Sequence, residues 1–133
     1  MRLAVIAAAL LFVALTGYYF LYSADGSVIA RVQIIGTWQS TDDPKFTREF
    51  KSDGKVIDAY DGAVKESALS WTIFTSSMPV DGFSGEFEEG AVYLSIATLR
   101  KDELHFKIEQ IDANNLVLIY LDRGGTLSFT KLR

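Results

Sequence analysis

Hydrophobic and polar positions divide this chain into two regimes. Residues 3–22, LAVIAAALLFVALTGYYFLY, run without a charged side chain. Beyond residue 33 the long apolar run gives way to short stretches in which apolar and polar side chains alternate. A helix rises about 1.5 Å per residue, so the first regime is long enough to cross the roughly 30 Å hydrocarbon core of a bilayer. Period-two alternation broken by turn residues predicts β-strands with one wet and one dry face.

The pattern predicts strands at 34–40, 45–51, 56–60, 69–75, 91–99, 104–111, 116–121 and 126–132. The clearest is 104–111, where Leu104, Phe106 and Ile108 point one way and His105, Lys107 and Glu109 the other. Residues 116–121, LVLIYL, are apolar throughout, which predicts cover on both faces. Turn chemistry separates the strands: Ser52-Asp53-Gly54-Lys55, Asp61-Gly62, Asp112-Ala113-Asn114-Asn115 and Asp122-Arg123-Gly124-Gly125. Residues 76–90 are a long loop, with room for a short strand at 84–88. About seven or eight short antiparallel strands in a meander predict an all-β barrel, since closure removes exposed edges. The domain reading is therefore an N-terminal transmembrane helix within 1–24, a short tether over 25–33, and a barrel over 34–133.

Composition sharpens this picture. One domain fits 133 residues. The absence of cysteine excludes disulfides, thiolate metal sites and a catalytic thiol. A formal charge of −4 argues against nucleic acid as a partner. A cleaved signal peptide is the competing reading of the leader: cleavage after Ala24 would place Tyr22 at the −3 position, where a small residue is needed, and cleavage after Ala30, with a tolerable Val28 at −3, would fall late. Tyr18, Tyr19 and Tyr22 gather at the C-terminal end of the run, where aromatic rings favour the headgroup boundary. Arg2 precedes the run and Asp25 follows it, which points to a cytoplasmic N-terminus. The expected location is the cytoplasmic membrane, single-pass, with the barrel extracytoplasmic (periplasmic in a Gram-negative cell). Arg2 is the only charged side chain before Asp25, so the rest of the chain is acidic and not drawn onto anionic lipid.

Ile35-Gly36-Thr37-Trp38, the Phe46 to Phe50 strand, the Ser52–Lys55 turn and the stretch from Ile108 to Leu118 together resemble small bacterial lipocalin-like (calycin-type) β-barrel domains. The resemblance covers residues 34–133. It implies a meandering barrel in which Gly36 and Trp38 plug one end. It also implies that a basic residue near the C-terminus, Arg133 or Lys131, packs over the indole. The Thr-Asp-x-x-Tyr motif of true lipocalins is not recognisable here, and the short strands imply a shallow cup.

Candidate chemistry is sparse. His105 is the only histidine, on the outward side of its strand, without the converging partners of a metal site or a triad. Asp81, Glu86, Glu88 and Glu89 give an acidic loop without EF-hand spacing, so no metal is expected. Asp58 with Asp61, and Asp42 with Asp43, are carboxylate pairs in ordinary turn contexts. No serine has a nucleophile-elbow context. The expectation is a non-enzymatic binding or accessory module without a cofactor. Its partners are the membrane, through the leader, and a small apolar ligand held near Trp71, Met78, Phe83 and Phe87. The alternative is an envelope protein bound or inhibited through the 76–90 loop. The aromatic and Met on that loop exceed what a barrel core requires, so the loop is expected to close a barrel mouth or to form a contact patch.

Overall fold

The structure is a computed structural model that describes residues 26–98, 100 and 102–133. The expected membrane segment at 3–22 lies outside the described residues. Among the described residues no helix is long and apolar enough to cross a membrane.

Eight strands follow a short helix: α1 (Gly26–Gln33), β1 (Gly36–Ser40), β2 (Phe46–Phe50), β3 (Lys55–Tyr60), β4 (Ala63–Phe74), β5 (Tyr93–Ala97), β6 (Glu103–Ile111), β7 (Asn115–Tyr120) and β8 (Thr126–Lys131). Each strand pairs with the next in antiparallel register, and β8 returns to β1 to close the barrel. This is the expected all-β meander, compatible with a lipocalin-like barrel. Closure pairs each strand with a neighbour on both sides, although residues 63–69 of β4 pair with β3 alone, since the β4–β5 ladder starts at Ser70.

Alternation fills the inside. Trp38, Val56, Leu94, Ile96, Leu116 and Leu118 have no accessible surface, so no water-sized space adjoins them. Phe50, Leu69, Ile73, Phe106 and Phe129 complete this core. Each such side chain stabilises the fold by about 1.5–3 kcal/mol relative to exposure. In β6 the inward set is Leu104, Phe106 and Ile108, as the pattern predicts. The register then shifts between Ile108 and Gln110, leaving Glu109 as the extra residue, and Ile111 packs against the core again.

Four expectations need correction. First, residues 26–33 of the expected tether are helical. Ser27 and Ala30 are buried, and Ile34 just beyond them is fully enclosed. These form one stripe of α1, which closes the barrel end where β1 begins. Second, β4 starts at Ala63 rather than at 69. Residues 63–68 are exposed and carry no core pattern; backbone pairing with β3 makes them strand. The Asp61-Gly62 turn enforces that pairing, because both residues have positive φ (52° and 80°), the twist a two-residue hairpin needs. Third, 84–88 forms no strand. It crosses the outside of the barrel. The double cover expected for β7 is also not there: Val117 and Ile119 stay partly exposed.

Gly36 and Trp38 stand on β1, which begins at the barrel end that α1 covers. Gly36 has φ +136°, and a Cβ there would lie 2.5 Å from the Arg133 carbonyl oxygen. The Trp38 indole N–H donates to the Ile34 carbonyl at 2.8 Å. The cation over the indole is Lys131, with Nζ 5.1 Å from the ring centroid. Lys131 pairs with Trp38 across the β1–β8 ladder and so shares its face. Arg133 instead contributes its backbone carbonyl, which accepts from the Thr37 amide at 2.7 Å.

Candidate functional site

Strands β4, β5 and β6 carry large side chains on their outer surface as well as their inner one. Phe74, Tyr93 and His105 all point away from the barrel axis, yet their exposures are 0%, 2% and 5%. The 76–90 loop covers them. It leaves β4 at Thr75, which pairs with Met78, crosses the outer face, and returns to β5. Phe83 and Phe87 are its anchors. Phe83 sits 5.3 Å from Phe74 and 5.2 Å from His105, centroid to centroid. Phe87 meets Tyr93 edge-on at 5.4 Å and Phe83 at 5.1 Å. The Glu88 amide donates to the Tyr93 hydroxyl at 2.8 Å, which satisfies that buried phenol. The result is a second, external aromatic core. Edge-to-face geometry of this kind adds about 0.5–1.5 kcal/mol per pair beyond burial.

His105 is the polar centre of this face. Its Nε2 lies 3.1 Å from Glu103 Oε2, and its Nδ1 lies 3.4 Å from Asp122 Oδ1. Its backbone amide donates to Asp122 Oδ2 at 2.9 Å. The ring therefore links β6 to the turn after β7, with both nitrogens facing carboxylates. Nearby, Lys107 Nζ donates to Glu88 Oε2 at 2.7 Å and ties the loop's return to β6. That hydrogen bond, with the charges of Glu88 and Glu109, holds the Lys107 ammonium above its ordinary pKa.

A groove of about 380 Å³ opens beside the histidine, between the loop tip (Phe83, Gly85, Glu86) and the turn carrying Leu121 and Asp122. A second recess of about 400 Å³ lies on the same outer face, between Val80 and Asp81 of the loop and Thr72, Ser95 and Glu103 of the sheet. Both are external to the barrel.

The structure separates the expected ligand residues. Trp71 belongs to the inner face of β4: it packs against the core, meets Phe50 edge-on at 6.1 Å, and its indole N–H donates to the Lys51 carbonyl. Phe83 and Phe87 lie on the opposite face of the same sheet. Met78 is 47% exposed at the base of the loop. The loop therefore does not close a barrel mouth. His105, read as exposed from its strand position, is buried by the loop. Tyr93, Glu103 and Asp122 escaped the sequence reading. Their available signal was the apolar residue at both parities in Ile73-Phe74 and Val92-Tyr93-Leu94. That pattern marks a sheet covered on both sides.

Asp58 is likewise not a turn carboxylate. It accepts from Arg48 Nε at 2.7 Å and Nη2 at 2.9 Å. Arg48 is 7% exposed between Phe46 and Phe50, so this bidentate pair faces the barrel interior, with Arg48 opposite Trp38 in the β1–β2 register. Tyr60, two register steps further, has its phenol pKa raised chiefly by the negative charge of Asp43. Among the described residues no group of three or more His, Cys, Asp or Glu is gathered to hold a metal ion.

Comparison with protein-family models, with curated proteins and with solved structures finds no match to this chain.

Proposed function

We propose that this protein is a non-enzymatic binding or accessory module of the cell envelope, carried on the cytoplasmic membrane by residues 3–22. On this reading it is a small relative of the lipocalin-like barrels that binds through its outer β4–β6 face. The observation that carries the reading is the contrast between the two sides of that sheet. The inner side is packed with buried side chains such as Ile73, Leu94, Ile96 and Phe106, whereas the outer side holds an open groove beside a long loop. This favours the protein-contact alternative over a small apolar ligand held in a barrel cup.

The groove's chemistry favours a peptide segment that pairs a basic side chain with an apolar one. Glu86 and Asp122 supply negative charge, Phe83 and Leu121 supply apolar contact, and the 76–90 loop carries four carboxylates and no cation. His105 serves as a clamp rather than a base, because carboxylates occupy both ring nitrogens.

The test is methyl and amide NMR of the full chain in nanodiscs, titrated with a Lys/Leu-containing peptide and separately with a long-chain fatty acid. The expected result is peptide-induced shifts at Phe83, Ser84, Leu121 and Asp122, abolished by Glu86→Lys. Fatty-acid shifts confined to Leu94, Leu116 and Leu118 would replace this reading with an internal cup.

A further inference from the structure

Helix α1 is built the reverse way round for a surface helix. Its inward stripe is small, Ser27 and Ala30, continued by Ile34. Its outward stripe is large and apolar. Val28 is 56% exposed, Val32 69% and Ile35, just past the helix, 38%, a set spaced i, i+4, i+7. Ile29 beside them is 42% exposed. Leu132, 52% exposed, extends the patch, since its amide donates to the Thr37 carbonyl at the same end of the barrel. A contiguous apolar surface of this kind marks a contact site.

The chain itself indicates the occupant. Tyr22 ends the proposed membrane-crossing run, and Gly26 begins α1. Four residue steps reach at most about 14 Å even when fully extended. A bilayer crossed by residues 3–22 therefore lies within that distance of α1. We infer that the α1 end of the barrel rests in the membrane interface, with Val28, Ile29, Val32 and Ile35 among the upper acyl chains. This rests on the membrane-anchored reading above and deepens it by naming the surface that faces lipid. The Asp61-Gly62 hairpin, at the opposite ends of β3 and β4, then projects away from the bilayer. Arg31 and Arg133, both exposed at the α1 end, flank the patch as interfacial side chains do. The exported region is acidic overall, so the contact is apolar rather than a response to anionic lipid.

The lack of cysteine permits single-site labelling. Leu11→Cys, Val32→Cys and Lys65→Cys each receive an environment-sensitive fluorophore in the full chain, reconstituted in phosphatidylcholine vesicles. Doxyl quenchers are placed near the headgroup or near the acyl-chain end. The expected result is quenching at 32 of roughly half its emission by the shallow doxyl and less by the deep one, as an interfacial helix requires. The label at 11 is quenched by the deep doxyl and the label at 65 by neither. Quenching at 11 with none at 32 overturns the inference and leaves the anchor standing. Blue-shifted emission at 32 without quenching also overturns it, since protein then covers the patch. Quenching at 65 overturns the orientation, and absence of quenching at 11 overturns the inference and the anchor together.

Discussion

Lys131 and Trp38 are register partners on β8 and β1, and the Lys131 ammonium stands 5.1 Å from the centroid of the indole. The same ammonium donates to the Gln33 carbonyl at 3.0 Å, the last residue of α1. One side chain thus covers the Trp38 indole and satisfies an orphan carbonyl at the negative end of a helix. Lys131→Met is expected to lower stability by about 1–2 kcal/mol, combining a cation–π contact with a charge-assisted hydrogen bond. Arg133→Ala should change it by less than about 0.5 kcal/mol, because Arg133 acts through its backbone. Urea denaturation of the two variants side by side checks the assignment; equal losses would contradict it.

Gly36 secures the same junction from the backbone side. Its φ of +136° is costly for any L side chain, and an added Cβ would meet the Arg133 carbonyl at 2.5 Å and Lys131 Cε at 2.7 Å. The lysine can move, but the strand-closing carbonyl cannot move without breaking its bond to the Thr37 amide. Gly36→Ala should cost about 2–3 kcal/mol or more. The loss should appear as a lowered denaturation midpoint with raised exchange at the amides of Thr37 and Leu132.

The Arg48–Asp58 pair tests what a polar group does inside a small barrel. Both side chains are largely buried, at 9% and 13% exposure, and their two hydrogen bonds are bidentate. Asp58→Asn leaves an arginine without its counter-charge and is expected to cost about 3–5 kcal/mol. The double variant Arg48→Met with Asp58→Leu should fall within about 1–2 kcal/mol of the natural chain, since a well-packed apolar pair is often neutral. A double-mutant cycle from urea melts measures this directly. A double variant as unstable as the single would show that the ion pair itself stabilises the barrel beyond what an apolar pair supplies.

What the pattern of residues made legible was every element whose side chains alternate. Leu104, Phe106 and Ile108 show one inward face, and the barrel follows from repeating that logic around a closed meander. What it could not convey was contact between parts distant along the chain. His105 reads as exposed because alternation assigns it to the outer side of β6, and nothing local announces that Phe83 will lie on it. Residues 63–68 become strand through pairing alone. Helix α1 reads as a tether because its large apolar residues face away from the protein. The ligand cluster of Trp71 with Phe83 and Phe87 failed for the same reason: β4 itself stands between them.

That separation has its own experimental signature. Phe83→Ala should uncover His105 and shift its imidazole resonances, while stability falls by only about 1–2 kcal/mol, because the outer aromatic core is a satellite of the main one. Trp71→Phe removes the hydrogen bond to the Lys51 carbonyl from the inner face and should cost about 1 kcal/mol with the His105 resonances unmoved. Two-dimensional NMR of the imidazole protons distinguishes the cases. A Trp71 variant that perturbs His105 as strongly as Phe83→Ala would mean the two faces are coupled through β4.

The turn between β6 and β7 carries a pH dependence whose sign can be worked out from its hydrogen bonds. Asp112 Oδ1 accepts from the amides of Asn114 and Asn115 at 2.9 and 2.8 Å, and Oδ2 accepts from Gln110 Nε2 at 2.9 Å. These donors favour the ionised carboxylate, the Asn114 amide most of all, then the Gln110 amide group, and they hold its pKa below the ordinary value. A carboxylate depressed in the folded state binds its proton more readily when unfolded. It therefore contributes stability above its unfolded pKa of about 3.9 and loses it as pH falls through the lower folded value. Asp112→Asn keeps an acceptor but removes the charge. Its melting temperature should lie below that of the natural chain by a constant amount from pH 7 down to about pH 5. The gap should then narrow through the acid range and close once Asp112 is protonated in both states. Thermal melts of the two proteins across that range decide the matter. A gap that persists unchanged at the acid end would show that the carboxylate's charge contributes nothing to the turn.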